Sequence, residues 1–403
     1  MKQKIKIIND PVHGIIKIPS QFIYTIIQHR YFQRLHKISQ NGLTELVYPG
    51  ARHSRFIHAL GCMHLMQSAI SVLKEKNVQI TIEEEEAAYI AILLHDLGHG
   101  PYSHSLESSI IDGSHHEEIS LQLMEKLNEE FEGKLTLAIS IFKGEYEKEF
   151  LHQLVSSQLD VDRLDYLKRD SFFSGVVEGN INPERIISMM NVSDNELVID
   201  VKGISSVEKF LMARIFMYSN VYLHKTSFSA ENYLIQVLRR AKELVKSGEK
   251  LFATDAFRYF LEGNEKGRLS EEGLEYFTRL DDYDVMTSIK EWQYSNDIIL
   301  STLSKSIVER RLPKSVLRKE PIDKNEIDLE LKRVQNYFNI NDASYFVQQS
   351  EIKITPYNHS NSPIKLLYKN GNVEEISSSQ LSLLGEVLKR QIVKYHYHTI
   401  KIK

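Results

Sequence analysis

"ILLHDLGHGPYSH", residues 92–104, begins as a helix and ends as a cluster of ionisable groups. Just upstream, "EEAAYIAILL" (85–94) is apolar on every side of a helical wheel from Ala87 to Leu94, the pattern of a core helix rather than a surface one. His95 and Asp96 follow with no break, and His99 and His104 come soon after. A carboxylate carried into a core is costly unless it is paired, protonated or bound to a metal. The stretch therefore predicts a mainly α fold built round a buried helix that ends in a held charge.

Outward from this helix, the first twenty residues alternate apolar and polar around a turn at Pro11 to Gly14, which predicts a short β-hairpin within residues 1–20. From about residue 22 to 307 the pattern is helical almost throughout, with a further small hairpin expected near 196–203. Beyond "ERRLPKSVLRKEPID" strands are expected at "EIKITP", "IKLLYKNGNVEEI" and "YHYHTIKIK", with one helix over "SQLSLLGEVLKRQI". A helical domain of residues 1–310 and a small α+β region of 311–403 follow from that change of texture. "EEEE" (83–86) reads as a solvated helix start, where acid suits the dipole.

The formal net charge of −4 gives no general case for nucleic acid as the main partner. Cys62 is the only cysteine, so no intrachain disulfide can form and a reducing, cytoplasmic setting is expected. "MKQKIKIIND" has no apolar leader run, and no apolar stretch of the length a bilayer needs is expected.

Further donors sit in telling contexts. "SRFIHALG" places Arg55 and His58 one helical turn apart, and "DVDRLDYLKRD" puts Asp162, Tyr166 and Asp170 on one stripe. Two imidazoles and two carboxylates form a mixed N/O set that leaves positions for water and a substrate oxygen. That suits Fe, Mn, Ni, Zn or Mg better than a closed structural zinc site. His104 and Glu107 are spaced as neighbours on one helical face, an arrangement that orients an imidazole and favours its protonated form. In "FLMARIFMYSNVYLHK", Arg214, Tyr218, Tyr222 and Lys225 fall within a narrow arc of a continuous helix. By itself that stripe reads as a helix–helix contact. Beside a metal site whose substrate carries phosphate it reads as a phosphate and sugar clamp.

Arg55 and His58, then His95-Asp96, then Asp162, resemble the H…HD…D signature of the HD superfamily of metal-dependent phosphohydrolases. "INDPVHGIIKI", "YFQRLHKISQNGL", "YPGARHSRFIHALG", "HDLGHGPYSH", "DVDRLDYLKRDS" and "LDDYDVMTSIK" extend the likeness over roughly residues 5 to 300. They resemble the deoxynucleoside triphosphate triphosphohydrolase branch, of the SAM-and-HD type.

The resemblance implies one divalent ion on His58, His95, Asp96 and Asp162, with an additional Mg on the nucleotide. It implies His104 as general acid to the leaving O5′, oriented by Glu107, with His99 and His116 near the α-phosphate. It further implies Arg55, Arg163 and Arg214 on phosphate, Tyr222 against the sugar, Gln40 and Asp170 on the 3′-hydroxyl, and Tyr166 against a 2′-hydroxyl. Tyr218 replaces a histidine of the animal enzyme, and Arg163 a lysine. The reaction implied is hydrolysis of a dNTP to deoxynucleoside and triphosphate, by water activated on the metal or by a histidine nucleophile. The resemblance further implies a homo-oligomer, dimer or tetramer, and a nucleotide effector of a specificity other than guanine, since Gln28 and His36 stand where the animal enzyme reads guanine. The competing readings are an HD phosphohydrolase for a monophosphate, dinucleotide or alarmone, and a nucleotide-binding regulator without turnover.

Overall fold

Lys6–Asp10 (β1) and Gly14–Ile18 (β2) pair antiparallel, with Asp10 opposite Gly14 across the turn. The computed structural model describes residues 6–102, 113, 115–263, 265–355, 357–358, 362–388 and 391–402. The alternation works as expected: Ile16 and Ile18 point into the core while Ile7 and Ile15 face outward.

Behind the hairpin, Gln21–Gln28 (α1) leads to Arg55–Glu75 (α2) and Ile82–Leu94 (α3), which pack against each other. Thr81 and Glu84 close a capping box on α3, and Glu84 also takes Lys148 and the Tyr146 hydroxyl. Glu84 is thus buried, not part of a solvated start. Every residue from Ala87 to Leu94 is buried. Thr136–Lys143 (α5) and Glu149–Val155 (α6) pack on α3, while His116–Glu130 (α4) packs on α5 and Val161–Ser174 (α7) packs on α2.

α2 corrects the expectation of no bilayer-length apolar stretch, since its length and composition would suffice to cross a membrane. Two-thirds of that window is buried inside the protein, and it carries Arg55 and His58 inward, so it is a core helix.

The expected second hairpin forms slightly earlier, as Met190–Ser193 (β3) and Glu196–Asp200 (β4). Ile204–Met217 (α8) then runs into a π-helical turn over Tyr218–Tyr222, and Lys225–Lys246 (α9) starts anew after it. This break corrects the continuous helix expected over the Arg214 to Lys225 stripe. Asp255–Leu261 (α10), Glu271–Arg279 (α11), Asp282–Trp292 (α12) and Ile298–Val308 (α13) follow.

In the C-terminal region, Lys314–Arg318 (β5), Val347–Ile354 (β6) and Ile392–Thr399 (β9) form an antiparallel sheet in the order β5-β9-β6. Lys365–Leu367 (β7) and Val373–Glu375 (β8) instead extend the β3-β4 sheet, β7 lying parallel to β4. The helix of this region is Lys324–Phe338 (α14), capped by Asp323 and ended by Asn339 in the left-handed region. Among the described residues of the segment where a longer helix is expected, a single turn, Gly385–Leu388, is helical. There the backbone N–H groups of Leu383 and Leu384 donate to Glu208 of α8, which holds the segment from outside as a cap.

Candidate metal centre

α3 delivers His95 at its C-terminal end, and two tight turns carry Asp96 and His99 round beside it. Gly98 lets this turn lie against α4: an added Cβ would overlap the His116 carbonyl and the Ser120 amide. Ser120 Oγ accepts from Gly98 N at 2.8 Å and donates to the His95 carbonyl at 2.7 Å, pinning the turn. α2 brings His58 from one side. α7 brings Asp162 from the other, in a first turn capped by Asp160.

The donors converge. His58 Nε2 lies 3.0 Å from Asp162 Oδ1 and 3.7 Å from Asp96 Oδ2. His95 Nε2 lies 3.4 Å from Asp162 Oδ1 and 3.3 Å from Asp96 Oδ1. Ligands held about 2.0–2.2 Å from one cation stand roughly 3 Å from their neighbours, so these spacings suit a shared ion. The tautomers suit it too. His95 Nδ1 donates to the Ile92 carbonyl at 2.6 Å, and its Nε2, facing the carboxylates, is buried with no hydrogen bond. His58 Nδ1 donates to Asp165 at 2.7 Å, which turns the Nε2 lone pair toward Asp162. The residues present therefore fit a divalent cation.

Despite burial, contacts from His58 and His95 hold the Asp162 carboxyl well below its usual range. Burial likewise opposes ionisation of Asp96, and His95, His99 and Arg55 overcome it. A buried carboxylate, Asp96, and a partly buried one, Asp162, thus stay charged and call for protons or a cation in balance.

Cys62, one turn after His58, is a donor that spacing does not reveal: its Sγ and one donor atom each from His58, His95 and Asp162 lie within 4.8 Å of one another. It sits 3.5 Å from His58 Nδ1, the nitrogen already committed to Asp165, and burial pushes its thiol far up. Cys62 Sγ and Asp96 Oδ2 both lie 3.7 Å from His58 Nε2, and Asp96 Oδ1 also lies 3.3 Å from His95 Nε2, so Asp96 spans the free nitrogens of both imidazoles.

The centre opens into a cleft of about 930 Å³. Of the expected substrate residues, Gln40, Arg55, Arg163, Tyr166, Asp170, Tyr218 and Tyr222 line it. Arg55 meets Asp96, and Arg163 meets Asp160. His99 and His116 also line it, their rings stacked at 4.0 Å. Burial and the nearby Arg55 guanidinium pull His99 down to about 3, so it stays neutral. Two expected residues are not brought in. Arg214 does not line the cleft, its guanidinium lying 5.7 Å from the Tyr218 ring, and Lys225 is exposed at the first position of α9. The π-helical turn alters the angular step between Tyr218 and α9, so the arc computed for an unbroken helix does not hold. His104 and Glu107 lie outside the described residues.

The sequence pattern misses the supporting layer. His53 Nε2 donates to Asp170 at 2.7 Å while the Tyr222 hydroxyl donates to its other oxygen at 2.8 Å. Asp165 takes His58 on one side and a fork from Arg169, at 2.8 and 2.9 Å, on the other. The Asp165–Arg169 spacing of four on a helix is the one local signal that could have exposed this pair.

Comparison with known proteins agrees with this geometry. The HD domain model matches residues 55–170, and the HD associated region model matches residues 181–259. The uncharacterized protein YwfO of Bacillus subtilis is 32% identical, over 92% of this chain and 87% of its own length. A crystal structure of a phosphohydrolase from Bacteroides thetaiotaomicron is 46% identical with a TM-score of 0.95, covering 99% of this chain and 100% of that one. The chain belongs to the HD-domain phosphohydrolases and is an enzyme of that class. Its relatives include the deoxynucleoside triphosphate triphosphohydrolase SAMHD1 of Homo sapiens, 29% identical over 81% of this chain, and the SAMHD1 homolog of Dictyostelium discoideum, 31% identical over 62%. The chain spans 57% and 52% of those two proteins' lengths.

Proposed function

We propose that the protein hydrolyses deoxynucleoside triphosphates to deoxynucleoside and inorganic triphosphate, with His58, His95, Asp96 and Asp162 holding one divalent ion. The observation that carries the reading is one cleft with the charged centre at one place and the Tyr166, Asp170 and Tyr222 cluster at another. When bound, the cation supplies Lewis acidity and lowers the pKa of a coordinated water. The chain's own groups do the rest. Arg55 and Arg163 bind phosphate oxygens, an arrangement guanidinium suits by its planar fork. His99 is neutral and stacked on His116, so His99 meets the α-phosphate without adding charge. Asp170 is fixed by His53 and Tyr222 and keeps lone pairs for a sugar hydroxyl. The Tyr166 ring, 6.2 Å from that of Tyr222, narrows the same corner against a 2′-hydroxyl. His104, oriented by Glu107, protonates the leaving O5′. A homo-oligomer and a nucleotide effector belong to the same reading, on the likeness to the triphosphohydrolases.

The test is kcat/KM for dGTP, GTP and dideoxy-GTP, and for the other bases, on the wild type and Tyr166→Ala, with product identification. dNTPs should be strongly preferred and dideoxynucleotides poor, because a site built to bond a hydroxyl rejects analogues lacking it. Tyr166→Ala should raise ribonucleotide turnover selectively. A wild type that prefers GTP or splits only monophosphates overturns the substrate reading and leaves the phosphohydrolase class standing.

A further inference from the structure

The N-terminal hairpin is joined to the metal centre by buried charge. At its turn, Asp10 Oδ1 accepts the backbone N–H groups of Val12 and His13 at 2.9 and 2.8 Å. Its other oxygen takes Arg169 Nη1 at 2.8 Å. His13 Nε2 then donates to Asp165 Oδ1 at 2.6 Å, next to the oxygen that receives His58 Nδ1. The four side chains Asp10, His13, Asp165 and Arg169 are at most 2% exposed, so this ring is sealed from water. Behind it, the His64 ring faces His13 at 5.4 Å.

The consequence falls on His58. A histidine ligand is oriented by whatever accepts its second N–H, and that acceptor is oriented by its own donors. Asp165 has Arg169 on one flank and His13 on another, and only His13 comes from outside α7. Arg169 also ties α7 to the hairpin, through Asp10, but His13 is the hairpin side chain that donates directly to the carboxylate orienting His58. From this geometry we infer that His13 is a positioning residue for the metal centre: through Asp165 it sets the orientation of His58, and the β1–β2 turn thereby sets metal affinity. The inference rests on the metal reading proposed above.

The experiment titrates metal-free protein with Mn²⁺, following the electron paramagnetic resonance signal of the free ion, for wild type, His13→Ala, His13→Gln and His95→Ala. His13→Ala should bind Mn²⁺ about tenfold more weakly, the low end of the scale for losing an outer partner of a ligand, because His13 acts one bond further out through Asp165. His13→Gln, whose amide can still donate to Asp165, should recover most of that loss, which a merely structural role would not produce. Circular dichroism and melting of the metal-free proteins come first. If His13→Ala does not fold, His13→Phe fills the ring's place without the donor and makes the same comparison. Unchanged Mn²⁺ affinity in the folded variant lacking the donor overturns the inference, as does unfolding of both, which would make His13 a determinant of fold. A wild type that binds no Mn²⁺, or a His95→Ala variant that binds it normally, overturns the metal reading and this inference with it. Normal wild-type binding, loss in His95→Ala and no change in the His13 variant removes this inference alone.

Discussion

Gly61 shows how narrowly single residues are constrained around the centre. It lies on α2 between His58 and Met63, and a Cβ there would overlap Asp165 Oδ1 and Arg169 Nη2. Neither can swing away, because Asp165 is bonded to His13 and His58 and Arg169 to Asp10. Gly61→Ala should therefore lower stability by about 1–3 kcal/mol, the usual scale for overpacking a core. It should also weaken Mn²⁺ binding, since the displaced carboxylate is the one that orients His58. Thermal melting of the metal-free variant and the Mn²⁺ titration check the two parts separately. A variant that melts like wild type and binds as tightly would show that the ring has slack the geometry denies.

At the scale of elements, the π-helical turn between α8 and α9 decides which cations reach the cleft. Arg163 is carried in by the capped first turn of α7, whereas Lys225 opens α9 facing solvent. Lys225 contributes through its carbonyl, which accepts from His396 Nε2 at 3.1 Å, and a side-chain substitution leaves that bond intact. Arg163→Ala should thus cost about 10–100-fold in kcat/KM, the worth of a charge-assisted hydrogen bond to phosphate. Lys225→Ala should leave kcat/KM unchanged. Steady-state kinetics on the two variants decide it, and an equal loss in both would mean that the turn between α8 and α9 straightens when substrate binds.

For the whole molecule, the C-terminal sheet is locked onto the helical part by buried histidines. His396 meets Ser229 Oγ at 3.0 Å, and His398 packs edge-on to Tyr233 at 5.4 Å, both partners lying on α9. Burial pulls His396 down to about 4 and His398 to about 3 from the usual 6.5. The unfolded chain therefore binds more protons than the folded one once the pH drops below about 6.5. Stability from the pair is fully present above that pH and is lost as the pH falls toward about 4 for His396 and about 3 for His398. Melting should move down between neutral pH and about pH 5, and His398→Phe, which puts an apolar ring beside Tyr233, should flatten part of that change. Identical acid profiles for wild type and His398→Phe would remove His398 as a source.

What the sequence by itself determined is whatever a local period can carry. The all-apolar run of α3 reads as a core helix because burial on every side leaves no polar face. His95-Asp96, Arg55 with His58, and the Asp162 stripe are legible because each rides one helix with fixed spacing. The N-terminal and β7–β8 hairpins are legible from alternation and turn residues. Tertiary structure alone decided the partners that meet across the chain. His13 and Asp165 are 152 residues apart, and His53 and Asp170 are 117 apart, with no repeat linking either pair. The same is true of β7, which pairs with β4 of the helical part, and of the tail segment capped by Glu208. A hydrogen bond between distant residues depends on how whole elements pack, and hydrophobic periodicity specifies which face is buried without specifying what it meets there.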